Sequence, residues 1–371
     1  MNPVSGIKGE IVMLTIRVCA SKEYDIHIGH GLLDDVGTLT AAVKKPCAVM
    51  LVSDSNVEPL YADRVAASYE KAGFTVHRFT FAAGEASKNM DTLVCLLEAL
   101  GEAQLTRSDL LAALGGGVTG DLTGFAAAVY QRGVDFVQIP TTLLAAVDSS
   151  VGGKTAVDLA CGKNMAGCFW QPCLVVCDPD VFATLTPAIF ADGMAEVIKY
   201  GVILDEPFFR WLESCDPHAG IETIVARCCE LKRQVVEEDE RDTGRRALLN
   251  FGHTIGHAIE KCSHFEVSHG SGVAIGMVAM ARAAAANGCA PADLAGRIAA
   301  LCVKNDLPTG VAMPVAALCA AAHGDKKRGA GGITVVTPDA LGAAATKKLT
   351  LEELDAWIAA GISTAAESEN G

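Results

Sequence analysis

Two histidines four residues apart, His253 and His257, stand in the segment Asn250-Phe251-Gly252-His253-Thr254-Ile255-Gly256-His257. On a helix that spacing puts both imidazoles on one face, where they could share a divalent metal ion. The whole chain has nine histidines, so the pairing is informative. Thr254 follows the first histidine where a metalloprotease helix carries its general-base glutamate, which removes support for peptide hydrolysis. His269, just before Gly270, and Glu196, within Gly193-Met194-Ala195-Glu196-Val197-Ile198-Lys199, are further ligand candidates. One glutamate and two histidines with a coordination position left open make the donor set of a catalytic zinc. Spacing alone selects His253 and His257 as the pair.

A second kind of chemistry is written in Gly115-Gly116-Gly117-Val118-Thr119-Gly120-Asp121, which contains Gly-x-Gly-x-x-Gly between an apolar run and a helical pattern. Glycines there let backbone N–H groups approach a pyrophosphate at the start of a helix. A Rossmann site also wants an acidic residue at the end of the following strand, and Ile139-Pro140 offers none. Asp54, at the end of an earlier apolar run, could take the ribose hydroxyls instead in a sheet of different strand order, or could serve only to cap a turn. Third, Arg132, Lys154, Lys163, Lys199, Lys232 and Arg246 lie among Gly, Thr, Asn and apolar residues rather than in amphipathic surface patterns. If they converge, they suit a small substrate with more than one negative group. Gly153-Lys154-Thr155 ends like a phosphate-binding P-loop, but the glycine that motif needs five residues before Gly153 is Asp148.

These groups must be held by a chain of 371 residues, enough for two domains. Apolar runs at Cys47–Val52, Phe74–Phe81, Asp109–Leu114 and Phe136–Ile139 read as strands, with helical patterns at Tyr61–Ala72 and Asp91–Gln104 between them. Such alternation predicts an α/β domain with a mostly parallel sheet over residues 1–183. From Thr184 the period becomes helical, at Pro187–Val202, Glu222–Glu237, Leu248–Lys261, Val273–Ala286, Pro291–Val303 and Leu351–Ala360. Residues 184–371 are therefore expected to form an all-α or mainly helical domain, with at most a strand pair at Ile333–Val336 and Gly342–Thr346. Thirty Lys+Arg against 44 Asp+Glu give a net charge of −14, a field that repels nucleic acid. No targeting segment is evident, and the uncharged stretch Leu307–Gly324 is broken by Pro308, Gly310 and Pro314, so a cytoplasmic protein without membrane contact is expected. Fourteen scattered cysteines, none in Cys-x-x-Cys spacing within the densest group Cys161, Cys168, Cys173 and Cys177, read as reduced thiols.

Read together, Gly116–Phe125, Gln131-Arg132-Gly133, Pro140-Thr141-Thr142-Leu143-Leu144, Val147–Lys154, Gly162-Lys163-Asn164-Met165, Gly193–Gly201 and Asn250–His257 closely resemble the 3-dehydroquinate synthase family, in order from about Asp54 to Lys327. The resemblance implies an NAD-dependent enzyme with a divalent metal, zinc or else cobalt, and a homodimer. It implies conversion of 3-deoxy-D-arabino-heptulosonate 7-phosphate to 3-dehydroquinate and phosphate, in the shikimate route to aromatic amino acids. Another sugar-phosphate cyclase or a metal-dependent polyol dehydrogenase is the alternative.

Carried over by position, the resemblance implies metal ligands at Glu196, His253 and His269, with His257 contacting substrate phosphate instead. It implies NAD contacts at Asp54, Asn56, Gly84, Glu85, Lys88, Gly116, Gly117, Val118, Thr119, Gly120, Asp121, Thr141, Thr142, Lys163 and Thr184. Substrate contacts are implied at Asp148, Lys154, Asn164, Lys199, Lys232, Arg246, Asn250, His257 and one of Lys326 or Lys327, and Arg132 is implied to reach the neighbouring subunit's phosphate pocket. The family usually has His-Gly-Glu at the third ligand, whereas His269-Gly270 is followed here by Ser271, which puts a contact behind the metal in doubt.

Overall fold

The computed structural model describes residues 13–324, 328–329 and 332–362. The first of its two units comprises the described residues up to Leu185 together with Ile221–Glu240. Its strands are β1 (Leu14–Cys19), β2 (Glu23–Ile28), β3 (Ala48–Asp54), β4 (Thr75–Phe81), β5 (Leu110–Gly115), β6 (Asp135–Pro140), β7 (Lys154–Leu159), β8 (Gly162–Phe169) and β9 (Leu174–Cys177). Its helices are α1 (Val36–Val43), α2 (Glu58–Lys71), α3 (Met90–Glu102) and α4 (Gly117–Val129). Seven strands form one sheet in the order β1-β2-β9-β6-β5-β3-β4, in which the β1/β2 pair is antiparallel and the rest is parallel. β5 is buried at every residue because helices cover the sheet around it, and Leu96, Leu111, Leu122, Phe125 and Phe136 make part of its core. Each such side chain contributes roughly 1.5–3 kcal/mol on burial.

The sheet order decides where a ligand can sit. From β3 the chain goes outward to β4, then returns to β5 on the other side of β3. That reversal is a topological switch point, and ligands of open α/β sheets bind at the carboxyl ends of the strands flanking it. Those ends are Asp54 and Gly115. β7 and β8 form a separate antiparallel hairpin.

The second unit comprises Thr186–Gly220 and the described residues from Arg241 on. It holds α5 (Pro187–Leu204), α6 (Glu206–Ser214), α8 (His253–Cys262), α9 (His269–Ala286), α10 (Leu294–Lys304), α11 (Val315–Ala322) and α12 (Leu351–Gly361). β10 (Arg328–Gly329), β11 (Gly332–Ala340) and β12 (Ala343–Leu349) add a small antiparallel sheet. The unit is thus mainly helical rather than all-α: Ile333 and Val335 alternate inward along β11, and Gly342, at φ 76°, takes the turn into β12.

A single division at 183/184 is not what forms. The chain passes between units at Leu185/Thr186, but helix α7 (Ile221–Glu238) belongs to the first. Its buried face, including Ile224, Val225, Cys228 and Val235, packs on β1, β2 and the turn Ala145–Ser149. The expected helix Leu248–Lys261 is also interrupted. Arg245–Asn250 is a short 3-10 turn, and Gly252, at φ 80°, starts α8 at His253. A Cβ on Gly276 of α9 would lie 2.0 Å from the Gly252 carbonyl oxygen, so the two backbones touch where the histidines project. All fourteen cysteines are free thiols, and among the described residues no helix is long and apolar enough to cross a membrane.

Candidate functional site

In the first unit the candidate groups gather at the switch point. β5 feeds Gly116, whose extended backbone precedes α4, and the amides of Gly117, Val118 and Thr119 begin the helix without intrahelical acceptors. They supply partial positive charge and N–H donors suited to an anion. A Cβ on Gly120 would lie 2.7 Å from Gln138 Oε1, so the glycine lets α4 sit down on β6. Asp54 does cap a turn, since its Oδ1 accepts the N–H groups of Asn56 at 2.9 Å and Val57 at 3.1 Å. Its other oxygen accepts the Thr119 hydroxyl at 3.3 Å, which ties it to the glycine-rich turn. Thr141 donates its N–H to Gly115 at 2.9 Å, while its buried hydroxyl has no hydrogen-bond partner among the described residues. The Thr142 methyl lies 3.2 Å from where a Gly116 Cβ would stand.

Around this turn, Lys88 is buried and donates to Asp121 at 2.5 Å. Burial pulls its ammonium down, but Asp121 and Glu85 outweigh that and hold it protonated above the usual lysine range. Glu85 follows Gly84, and its carboxylate lies 3.6 Å from the Lys163 ammonium. Thr184 donates to the Val181 carbonyl and meets the Tyr61 hydroxyl at 2.7 Å. The open amides, the acidic neighbouring strand end and the uncommitted Thr141 hydroxyl fit a nucleotide.

Four candidates of this unit, Asp148, Lys232, Asn164 and Arg132, are fixed by specific contacts. Buried Lys232 reaches both the carbonyl and a carboxylate oxygen of Asp148 at 2.6 Å. Asn164 is exposed at φ 55°, and its N–H donates to Asp158 at 2.7 Å, a carboxylate unmarked in the sequence. Arg132 is exposed on a rigid turn: Gln131, Arg132 and Gly133 all have positive φ, Arg107 clasps the Gln131 carbonyl, and Gly133 packs on Trp170. Lys154 is exposed at the start of β7.

The second unit brings together residues from three helices. Glu196 of α5 is fully buried; its Oε1 lies 3.6 Å from His253 Nε2 at the start of α8 and 3.4 Å from His269 Nε2 at the start of α9. A tetrahedral ion with bonds of about 2.0–2.2 Å separates its ligand atoms by about 3.3–3.6 Å; both separations from Glu196 match that, and all three donor atoms lie within 4.8 Å of one another. Lys199, also buried, binds the other Glu196 oxygen and balances its charge. Each imidazole is oriented through its second nitrogen, His253 Nδ1 at 3.0 Å from the Phe251 carbonyl and His269 Nδ1 at 3.0 Å from Glu260. Burial pulls the His269 pKa down, yet Glu196 and Glu260 together raise it to about 10. The pair chosen by spacing, His253 with His257, is not the one that closes on Glu196. His257 projects one turn along, its ring centroid 5.3 Å from that of His253 and 6.0 Å from that of His269, and falls in a second donor group with Glu260 and His269.

Arg246 is buried in the Arg245–Asn250 turn, and Asn250 donates to the Ala247 carbonyl there. Lys326 and Lys327 lie outside the described residues. Ser271 does not strip His269 of a carboxylate, because Glu260 provides one; Ser271 donates its N–H to Asp192, which also accepts from Ser268. Glu260 was legible in principle, since residues 253, 257 and 260 follow a helical period on one face.

Residues 78–192 match the family described as 3-dehydroquinate synthase N-terminal, and residues 193–328 match 3-dehydroquinate synthase C-terminal. The chain is 45% identical over 342 residues to the 3-dehydroquinate synthase of Streptococcus sanguinis (strain SK36), covering 90% of this chain and 96% of the relative. Among solved structures it is similar to 2-deoxy-scyllo-inosose synthase complexed with carbaglucose-6-phosphate, NAD+ and Co2+, at a TM-score of 0.85 and 25% identity over 94% of this chain and 100% of that one. It is also similar to 2-epi-5-epi-valiolone synthase from Streptomyces hygroscopicus subsp. jinggangensis 5008 with NAD+ and Zn2+ bound, at a TM-score of 0.81 and 27% identity over 93% and 98%.

Proposed function

This chain belongs to the 3-dehydroquinate synthase family, and from that premise we propose how its residues divide the reaction. It is an NAD- and metal-dependent phosphate lyase and cyclase that converts 3-deoxy-D-arabino-heptulosonate 7-phosphate to 3-dehydroquinate and phosphate, in the shikimate route to aromatic amino acids. Glu196, His253 and His269 hold the divalent ion, zinc in the first instance; the observation that carries this is the facing of both Nε2 atoms toward Glu196 Oε1. The glycine-rich turn, with Asp54, Lys88 and Thr141, holds NAD. When bound, the ion would supply Lewis-acid polarisation of substrate oxygens and NAD a reversible hydride acceptor, which together would allow turnover with no net oxidation.

The rest of the work is positioning. The substrate carries a phosphate and a carboxylate. Lys154, Asn164 and His257 are the phosphate contacts, Lys232 fixes Asp148 in place, and Lys199 holds Glu196 in its ligating orientation. Arg246, with Asn250, takes the carboxylate, for which a planar guanidinium offers paired hydrogen bonds. The protein works as a homodimer in which Arg132 serves the partner's site, a role supported by its exposure on a turn that is itself fixed.

The deciding assay is phosphate release from the heptulosonate phosphate with the product identified. NAD should be required and never consumed; NADH rising in proportion to product would identify a polyol dehydrogenase instead. A preference for sedoheptulose 7-phosphate, which lacks the carboxylate, would identify a different sugar-phosphate cyclase. For the dimer, chains carrying Arg132→Ala mixed with chains carrying Lys154→Ala should regain part of the activity, and proven heterodimers without activity would end the shared-site proposal.

A further inference from the structure

We propose that Glu260 is a positioning residue for the metal centre: its carboxylate accepts the Nδ1–H of His269 and so presents the Nε2 lone pair of that ring to the ion. The inference rests on Glu196, His253 and His269 being the ligands. Glu260 is 2% exposed, and its Oε1 lies 3.0 Å from His269 Nδ1 while Nε2 of the same ring faces Glu196. His253 is built alike, with Nδ1 turned to a backbone carbonyl and Nε2 inward. A ring nitrogen that donates in this way fixes the tautomer and leaves its partner nitrogen free to ligate.

The backbone explains why Glu260 reaches. A Cβ on Gly256 would lie 2.9 Å from Gly272 backbone atoms, so α8 and α9 cross in contact, and Glu260, one turn beyond Gly256, is brought to the first turn of α9. Gly272 lies directly against the Glu260 side chain. A second carboxylate beside this turn, that of Asp192, is engaged by Ser268 and Ser271. Although His257, Glu260 and His269 also form a donor group, the Glu260 to His269 separation is that of a hydrogen bond, with a proton rather than an ion between the two.

The test uses the full-length protein loaded with Zn2+ or Co2+, reading the metal dissociation constant by competition with a chelator and the visible absorption of the Co2+ form. Glu260→Ala should weaken metal binding about 10- to 100-fold and alter the Co2+ spectrum while NAD affinity stays unchanged. Glu260→Gln, nearly isosteric and safer for folding, should weaken it by less, because a neutral acceptor binds the ring N–H more weakly than a carboxylate. If either variant keeps the wild-type dissociation constant and spectrum while His269→Ala loses the ion, the positioning role is overturned and the ligand assignment stands. Retention of the ion by His269→Ala overturns the ligand assignment itself. Retention by Glu196→Ala with complete loss in Glu260→Ala would put the ion in the other donor group and overturn both.

Discussion

The glycine-rich turn of the first unit and the histidine cluster of the second use opposite materials. At the turn, the ligand-directed groups are main-chain amides from one contiguous stretch at the start of α4, where Gly116, Gly117 and Gly120 carry no side chain and Lys88, Asp121 and Asp54 stand around them. In the cluster, they are side chains from α5, α8 and α9, each oriented by a further hydrogen bond. Glycine matters in both places, but for different reasons. Gly120 lets a helix settle on a strand through the flexible end of Gln138, whereas Gly252 and Gly276 let two helix backbones touch. The first arrangement should therefore tolerate single side-chain losses and adjust in part to an added methyl group; the second should fail on the loss of a ligand side chain and tolerate an added methyl group at its crossing less well than the first.

The largest effect expected is at the ligands. Glu196→Ala, His253→Ala or His269→Ala should each remove the ion and turnover with it, a loss beyond the roughly 100-fold that follows removal of a supporting residue. His257→Ala should keep the ion. Elemental analysis of the purified variants decides it, and a His257→Ala protein without metal beside a His269→Ala protein with metal would break the comparison. Next comes Gly276→Ala, whose Cβ would stand 2.0 Å from the Gly252 carbonyl oxygen. Backbone has to move there, at a cost of about 2–3 kcal/mol, and because Gly252 precedes His253 the metal affinity should fall with stability. Gly120→Ala meets a side-chain end at 2.7 Å and should cost less in unfolding free energy, its effect appearing as weaker NAD binding with metal content unchanged. Equal costs at the two glycines would remove the distinction between them.

Arg246→Ala should come next in size. Losing a charged hydrogen-bond partner costs about 1.5–3 kcal/mol, so kcat/KM should fall at least about tenfold while NAD and metal still bind. An unchanged kcat/KM would separate Arg246 from the substrate carboxylate.

The same contrast explains what the sequence made legible. A backbone site is a local event, so Gly115–Asp121 could be read as it stands, along with the strand and helix alternation around it. The Asp54 contribution depended on β3 lying beside β5, and periodicity says which residues are buried without saying against what. Spacing of histidines likewise found one helix face, but Glu196 and His269 reach His253 from two other helices, and the crossing at Gly252 and Gly276 that brings α9 against α8 is not written in that spacing. Helix α7 was legible as a helix and not as a part of the first unit, for the same reason. β1 gave little signal because it is an edge strand with Leu14 exposed, and β9 because it is only four residues long. β2 did alternate, with Tyr24, Ile26 and Ile28 inward, so the sheet begins well before Cys47.

The smallest effect lies at the far end of β6, away from Thr141, where Asp135 joins Lys22 at 2.6 Å and Lys44 at 2.8 Å. Burial raises the carboxyl pKa, but the two lysine hydrogen bonds outweigh it and hold the group below its usual range. A folded-state value below the unfolded one means the ionised pair adds stability above the unfolded pKa, about 3.9, and that this contribution is lost as pH falls through the folded value. Asp135 keeps 34% of its side-chain surface exposed, so solvent screening limits the gain to less than about 1 kcal/mol. Denaturant unfolding should therefore show Asp135→Asn slightly less stable than wild type by a constant margin from pH 6 to 8, with the gap closing as the solution is acidified below about pH 4. NAD and metal affinities should not move, because the clamp acts on neither the amides of α4 nor the three ligand side chains. A gap that stays constant into acid would mean the carboxylate contributes shape and not charge, and a change in NAD affinity would show that the turn depends on more than its own contiguous residues.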